Sequence, residues 1–480
     1  MGTEETTSGG VTLGRATLGW PGRLLCVLAV FAILLTAVMS RPEKRLTDFD
    51  QAFYLSIAYD ISRHGVFSNG ILATGDRTPD SPAPGMFFMP VYPALVAAAM
   101  AIDPRFDRAV ECHVLAQREK RDLTGCEFYA RPIHILHAAL QTLAVVAIAL
   151  TAFVIFGGTS GALLAGGLAM LALVAKADLF SFVMTGSTSV ALFSAAALPF
   201  VLGLKTGRIG ASLAAGGLLG LLILARPSFA AMAPMWALAM LAGRRWVGRE
   251  SWTRAGAAAL ALAAACILVV SPWIVRNAIA VGKAGLSEEY GSAAIVERLA
   301  YNTMTAQEFA LAFPYCIPVA GPALVSATAG PQAMSRFAWD RPGSFFKVGR
   351  AHREALLQQY GKLDPVMPQV IRAEFEANGL KHMLTTVPLA WCGLWISNVW
   401  SLVLLPFFFA ALAVAWQRGA WLFLLYAAPA LLMVGLHAAV SNHYPRYNLM
   451  LIGPIAVGTA WLLSLLFSFV RTQRLVRDPI

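Results

Sequence analysis

Apolar blocks close to twenty residues long recur along the whole chain, and that recurrence decides what it can fold into. Ten are legible, at 23–40, 133–156, 159–178, 187–204, 209–225, 229–243, 255–276, 391–415, 420–440 and 447–470. A bilayer's hydrocarbon core is crossed by about 20 apolar residues in a helix. Only helices or closed barrels satisfy their backbone polar groups there. Residues of the AVILMFWYC set make up 58% of the 480 residues and charged ones 13%, against about 45–50% and a quarter in soluble domains. A soluble enzyme, a disordered chain and a disulfide scaffold are excluded. The expected fold is an all-α polytopic membrane protein with about ten transmembrane helices. Block 23–40 follows Arg15 and Arg23 without a small-residue cleavage site, and reads as a retained signal-anchor behind a cytoplasmic segment 1–22.

An eleventh apolar stretch, 86–102, is short and carries Pro90 and Pro93. Charge parity decides its placement. If it does not span, the connectors 205–208, 244–254, 416–419 and the tail 471–480 share one side. They carry Lys205, Arg208, Arg244, Arg245, Arg249, Arg254, Arg418, Arg471, Arg474 and Arg477. Basic residues in short loops mark the cytoplasmic side, so both termini are expected there. Against this, loop 103–132 puts Arg105, Arg108, Arg118, Lys120, Arg121 and Arg131 outside, where six acids balance them. The stretch 86–102 is therefore read as a helix on the outer face. Two long polar regions, 41–132 and 277–390, lie on that side. The reading divides the chain into a core 23–276, an outer loop 277–390, C-terminal spans 391–470 and the tail.

The net charge, 37 − 26 = +11, belongs mostly to residues flanking apolar blocks, so no nucleic-acid partner is expected. Of six cysteines, Cys26 and Cys266 lie inside apolar blocks. Cys112 and Cys126 bracket a charged loop, and Cys316 and Cys392 bracket the second polar region. In an oxidising compartment Cys112–Cys126 is a candidate bridge; two free thiols is the competing reading.

Asp48 and Asp50 stand two apart, and positions i and i+2 of an extended segment project to one face. Two such carboxylates suit a divalent cation, or a base and its helper. From Asp50 onward Phe53, Ile57 and Ile61 repeat at helical spacing, and Gly65 stands where a helix C-cap would. Asp50 also suits a plain N-cap. Arg226 with Pro227, and Arg276 with Asn277, fall at the outer ends of apolar blocks, as interfacial anchors or anion sites. The last outer turn crowds His443, Tyr444, Arg446 and Tyr447 together. It reads as a phosphate or sugar contact or as an interfacial belt. Region 277–390 contains Glu288, Glu289 and Tyr290 and no metal-ligand spacing or phosphate-cradling glycine string.

Taken in order, these pieces resemble the GT-C polyprenyl-phosphate-sugar glycosyltransferases, in particular the bacterial relatives of protein O-mannosyltransferases and lipid A aminoarabinose transferases. The carrying residues are Asp50, Tyr54 and Gly65, the aromatic and proline-rich FFMPVYPALV at 87–96, Arg226-Pro227, the Pro272-Trp273-x-x-Arg276-Asn277 ending, and Arg446-Tyr447. The chain departs from the aminoarabinose-transferase pattern at Asp50-Gln51, where Asp-Glu is usual. No all-β insert is legible in 277–390, which argues against a protein acceptor of the O-mannosyltransferase kind.

The resemblance implies a bacterial inner-membrane enzyme with juxtamembrane helices in its first periplasmic loop. It implies inverting transfer of a sugar from a polyprenyl phosphate to a hydroxyl of an envelope glycan, lipid or protein. Asp50 would be the base, and Asp48 its helper or, with Asp50, the ligand of a divalent cation. Arg226, Arg276 and Arg446 would hold the donor phosphate. Tyr54, Asn277, His443 and Tyr447 would line the substrate site. An O-antigen ligase or polymerase acting through the late loop, a secondary transporter and an inactive envelope scaffold are the alternatives.

Overall fold

The computed structural model describes residues 20–42, 44, 46, 50–72, 82–441 and 444–477. Asp48 and His443 lie outside them. The described residues form helices and turns and no strand. In chain order the helices are α1 (Trp20–Met39), α2 (Gln51–His64), α3 (Val91–Ile102), α4 (Pro104–Arg118), α5 (Arg131–Phe156), α6 (Thr159–Ala175), α7 (Ala177–Phe180), α8 (Gly186–Thr206), α9 (Ile209–Ala225), α10 (Met232–Ala242) and α11 (Trp252–Ala280). There follow α12 (Tyr290–Leu299), α13 (Ala306–Tyr315), α14 (Gly321–Phe337), α15 (Phe345–Tyr360), α16 (Met367–Leu394), α17 (Asn398–Gln417), α18 (Trp421–Val440) and α19 (Ile452–Arg477).

Each of the ten expected spans is largely helical. Among the described residues seven helices are long and apolar enough to cross a membrane: α1, α5, α8, α11, α17, α18 and α19 with the turn before it. The helices α6 and α9 have 17 residues each, roughly 25 Å at the α-helical rise. The 11 residues of α10 are extended by a 3₁₀ turn at Pro227–Ala231 and a π turn at Gly243–Val247. Stretch 86–102 yields only the 12 residues of α3, about 18 Å and too short to span.

The expected span 391–415 is corrected at its start. Residues up to Leu394 end α16, and α17 begins at Asn398. Ser397 N–H donates to Ser401 Oγ across the break, so the backbone there is partnered outside the helix ladder.

Two glycines four apart on α9 let it approach α11 closely. A Cβ on Gly216 would stand 2.0 Å from Leu262 O, and one on Gly220 2.8 Å from Val269 Cβ. Small residues at this spacing let α9 and α11 pack backbone to backbone, the usual contact of membrane helices.

The two long polar regions gather on one face, the loop face. Helix α2 ends at Gly65, whose φ of 65° is left-handed, with its N–H on Asp60 and Ile61 carbonyls. Helix α4 starts at Asp103, whose carboxylate accepts from Arg105 and Phe106 N–H, with Pro104 first in the helix. Helices α2 and α4 are joined by a buried Arg118–Asp60 ion pair at 2.7 Å, and Ser68 Oγ donates to the same carboxylate at 2.5 Å. A disulfide joins Cys112 to Cys126, and a second joins Cys316 to Cys392.

In the second region Arg298 is fully buried. Its guanidinium donates to Ala438 O, Asn302 Oδ1 and the Thr385 and Thr386 hydroxyls. It ties α12 to α16 and α18, and burial pushes its pKa down to about 10.

Candidate active site

A small cavity, partly open to solvent, lies on the loop face. Asp50 and Tyr54 come from the start of α2, Phe87–Met89 from the segment before α3, and Met184–Gly186 from the turn before α8. Arg226 comes from the α9–α10 junction, Tyr290 from the start of α12, and Arg446 with Tyr447 from the turn before α19. Residues almost 400 positions apart thus share one wall.

Asp50 occupies the N-cap position of α2, yet its side chain makes no cap hydrogen bond. Its Oδ2 accepts instead from Arg446 Nη2 at 3.2 Å. The pair is partly open, with 41% of the Asp50 side chain and 25% of Arg446 exposed.

Arg226 and Arg446 both lie against Tyr447, their guanidinium carbons 4.8 and 5.4 Å from its ring centre. Stacking on an aromatic face holds each planar cation in a set orientation. The Nε of Arg446 is buried and has no hydrogen-bond partner among the described residues. A buried donor of this kind is costly unless something accepts from it. The cavity therefore offers one carboxylate and two oriented guanidiniums.

Tyr54 and Tyr290 add phenols. Burial, and next the Asp50 carboxylate, raise the Tyr54 pKa well above its ordinary value. Burial, and next Tyr447, do the same at Tyr290. Both stay protonated at neutral pH. Tyr54 packs edge-on against Tyr92.

Gln51, the departure from Asp-Glu, turns away from the cavity. It is fully buried, and its Oε1 accepts from Val183 N–H at 2.7 Å. That bond holds the turn 179–186 beside Asp50. A neutral amide avoids burying a second charge there.

Arg276 and Asn277 do not line the cavity. Arg276 donates to Gly85 O at 2.5 Å and to Phe67 O at 2.6 Å. Asn277 Nδ2 donates to Gly285 O and Trp273 Nε1 to Leu286 O. The Pro-Trp-x-x-Arg-Asn ending thus brackets two loop segments that carry the cavity's aromatic wall. Both residues spend their donors on backbone carbonyls.

Of the expected site residues, the structure brings together Asp50, Tyr54, Arg226, Arg446 and Tyr447. Among the described residues no group of three or more His, Cys, Asp or Glu side chains could hold a metal ion. The expected cation pair of Asp48 with Asp50 lies partly outside the described residues. Tyr290, Thr185 and the turn 179–186 carry no sequence signal; only the tertiary fold brings them to Asp50.

The chain is similar in structure to the archaeal oligosaccharyltransferase AglB from Archaeoglobus fulgidus in complex with an inhibitory peptide and a dolichol-phosphate. That likeness has a TM-score of 0.49 and 15% identity, and covers 96% of this chain and 52% of that one. It is also similar to ArnT from Cupriavidus metallidurans, with a TM-score of 0.38 and 14% identity over 91% of this chain and 78% of that one. The chain spans about half the length of the archaeal enzyme. No family model and no curated protein matches it. Identities this low leave the chemistry to be read from the cavity's own residues.

Proposed function

We propose that this chain is an integral-membrane glycosyltransferase that moves a sugar from a polyprenyl phosphate to a hydroxyl acceptor at the outer face of a bacterial inner membrane. The observation that carries the reading is the meeting of Asp50 with two guanidiniums stacked on Tyr447 in one cavity. A carboxylate suits the acceptor proton, and fixed cations suit a phosphate leaving group.

Asp50 takes the proton of the acceptor hydroxyl as that oxygen bonds to the anomeric carbon from the side opposite the phosphate. The bond from the anomeric carbon to the phosphate oxygen breaks, and its electron pair leaves with the polyprenyl phosphate. The configuration inverts. Arg226 and Arg446 meet the growing phosphate charge. The phenols of Tyr54 and Tyr290 donate to sugar hydroxyls. A late-loop ligase would leave the first loop without chemistry; the sharing of one cavity by Arg446 and Asp50 favours the first-loop base instead.

Purified protein in lipid, given radiolabelled polyprenyl-phosphate sugars and a cell-envelope extract, tests the reading. Label moves to an extractable acceptor and free polyprenyl phosphate appears in equal amount. Solute uptake into sealed vesicles with no label transfer would replace it with the transporter reading.

A further inference from the structure

Tyr290 reaches the cavity from a junction built in an unusual way. The residue before it, Glu289, has φ +66°, a left-handed conformation that is uncommon for a residue other than glycine. Both of its carboxylate oxygens are engaged. Oε2 accepts from Leu363 N–H at 2.6 Å and Oε1 from Asp364 N–H at 3.0 Å. Asp364 answers in kind: its Oδ2 accepts from Glu289 N–H at 2.9 Å and its Oδ1 from the Ser292 hydroxyl. Two carboxylates thus bind each other's backbone across 75 residues of sequence. Leu363, between them in the fold, is buried against Val296 and Met367. On the other side Glu288 N–H donates to Met86 O at 3.2 Å, next to the aromatic wall, and the Tyr290 ring packs on Phe87 and Phe88. The left-handed conformation is strained for a residue with a side chain, and charge-assisted hydrogen bonds of this kind offset the strain.

We propose that Glu289 and Asp364 form a reciprocal clamp that positions Tyr290 in the cavity and thereby sets how tightly the donor sugar fits. The proposal rests on the transfer reading above. Glu289 is a positioning residue: it touches the α15–α16 turn and acts through Tyr290.

The chemistry of the two carboxylates separates the variants. Glu289→Gln keeps one acceptor and turns an NH₂ group toward a backbone N–H, so one bond is lost. Glu289→Gly relieves the backbone conformation and removes both bonds. Asp364→Asn keeps the oxygen that Glu289 N–H needs and presents Ser292 with an NH₂ that its hydroxyl oxygen can accept.

The experiment places 3-fluorotyrosine at position 290 of the full chain in lipid and records its ¹⁹F resonance, beside donor kcat and KM. The clamp predicts that Glu289→Gln and Glu289→Gly shift or broaden the resonance. It predicts that both raise the donor KM roughly tenfold, the scale of one charge-assisted hydrogen bond, with a smaller change in kcat. Asp364→Asn stays within about twofold of the wild type, since no bond is lost. In a Tyr290→Leu background, Glu289→Gln adds no further loss, because coupled residues do not add. An unmoved resonance in Glu289→Gln, wild-type behaviour of Glu289→Gly, or multiplying losses in the double variant overturns the clamp. A wild type that transfers no sugar, while Glu289→Gln still moves the resonance, overturns the transfer reading and leaves the positioning of Tyr290 standing.

Discussion

Replacing Arg446 by Met removes a cation that the structure ties to three groups: Asp50 at 3.2 Å and the rings of Tyr444 and Tyr447 at 5.3 and 5.4 Å. The stability cost is small. The pair with Asp50 is 41% exposed on the carboxylate side, so screening holds its contribution to at most about 1 kcal/mol. The two ring contacts add roughly 0.5–1 kcal/mol each, and the Met side chain keeps part of the packing. The catalytic cost is large. A fixed donor aimed at developing charge contributes roughly 100- to 1,000-fold in rate, and that is the role proposed for the Arg446 guanidinium. Arg446→Met should therefore lower kcat/KM for the polyprenyl-phosphate donor by roughly 100-fold or more, with a melting temperature near that of the wild type. Arg446→Lys keeps the charge and loses the planar fork, and should fall between. The assay is sugar transfer at sub-saturating donor, with thermal unfolding measured alongside. A folded Arg446→Met protein within threefold of the wild type would refute the phosphate role and leave Arg446 as a partner of Asp50 alone.

Further outcomes follow from other residues. Arg276→Met leaves the Phe67 and Gly85 carbonyls without their donor and should destabilise the protein by about 1–3 kcal/mol; an unchanged melting temperature would contradict the bracket. Reducing Cys112–Cys126, which closes a loop across 14 residues, should cost about 3 kcal/mol by the chain-entropy estimate, seen as faster proteolysis within 103–131. Burial holds the His113 pKa below its ordinary 6.5, against a smaller opposing effect of its bond to the Glu127 carbonyl. The unfolded chain therefore binds the proton first on acidification, and stability present above pH 6.5 is lost as pH falls below it. His113→Gln, which keeps a donor without titrating, should flatten that part of the melting-temperature profile between about pH 7 and 5.

Much of the architecture was legible because apolar length and loop charge are local properties. Eight of the ten blocks begin and end within about four residues of a helix or of its flanking turns, and block 447–470 stops seven residues before the end of α19. The remaining block, 391–415, hides a break at Trp395–Ser397 inside an apolar run, where hydropathy has no contrast to offer. Charge parity and the resemblance both place stretch 86–102 on the outer face, and its 12-residue helix fits that placement. The cavity was legible in part. Asp50, Arg226 and Arg446 stand out as charges at span ends. The same criterion selected Arg276, since a charge at a boundary looks alike whether it faces a ligand or two backbone carbonyls. Tyr290 left no trace, because its approach depends on a left-handed Glu289 and on Asp364, 75 residues away. The Cys316–Cys392 bridge, spanning 76 residues, was likewise hidden: the two cysteines bracket a region without indicating that it folds back.

The central claim is that Asp50 acts as the base while the arginines hold the donor. It is tested most directly by measuring donor binding and single-turnover transfer together for wild type and Asp50→Asn. The account predicts a donor Kd within about threefold of wild type, since the amide leaves both guanidiniums in place. It predicts transfer slower by roughly 100- to 10,000-fold, the contribution of a general base. Equal transfer by the two proteins would contradict it and remove the carboxylate from the chemistry.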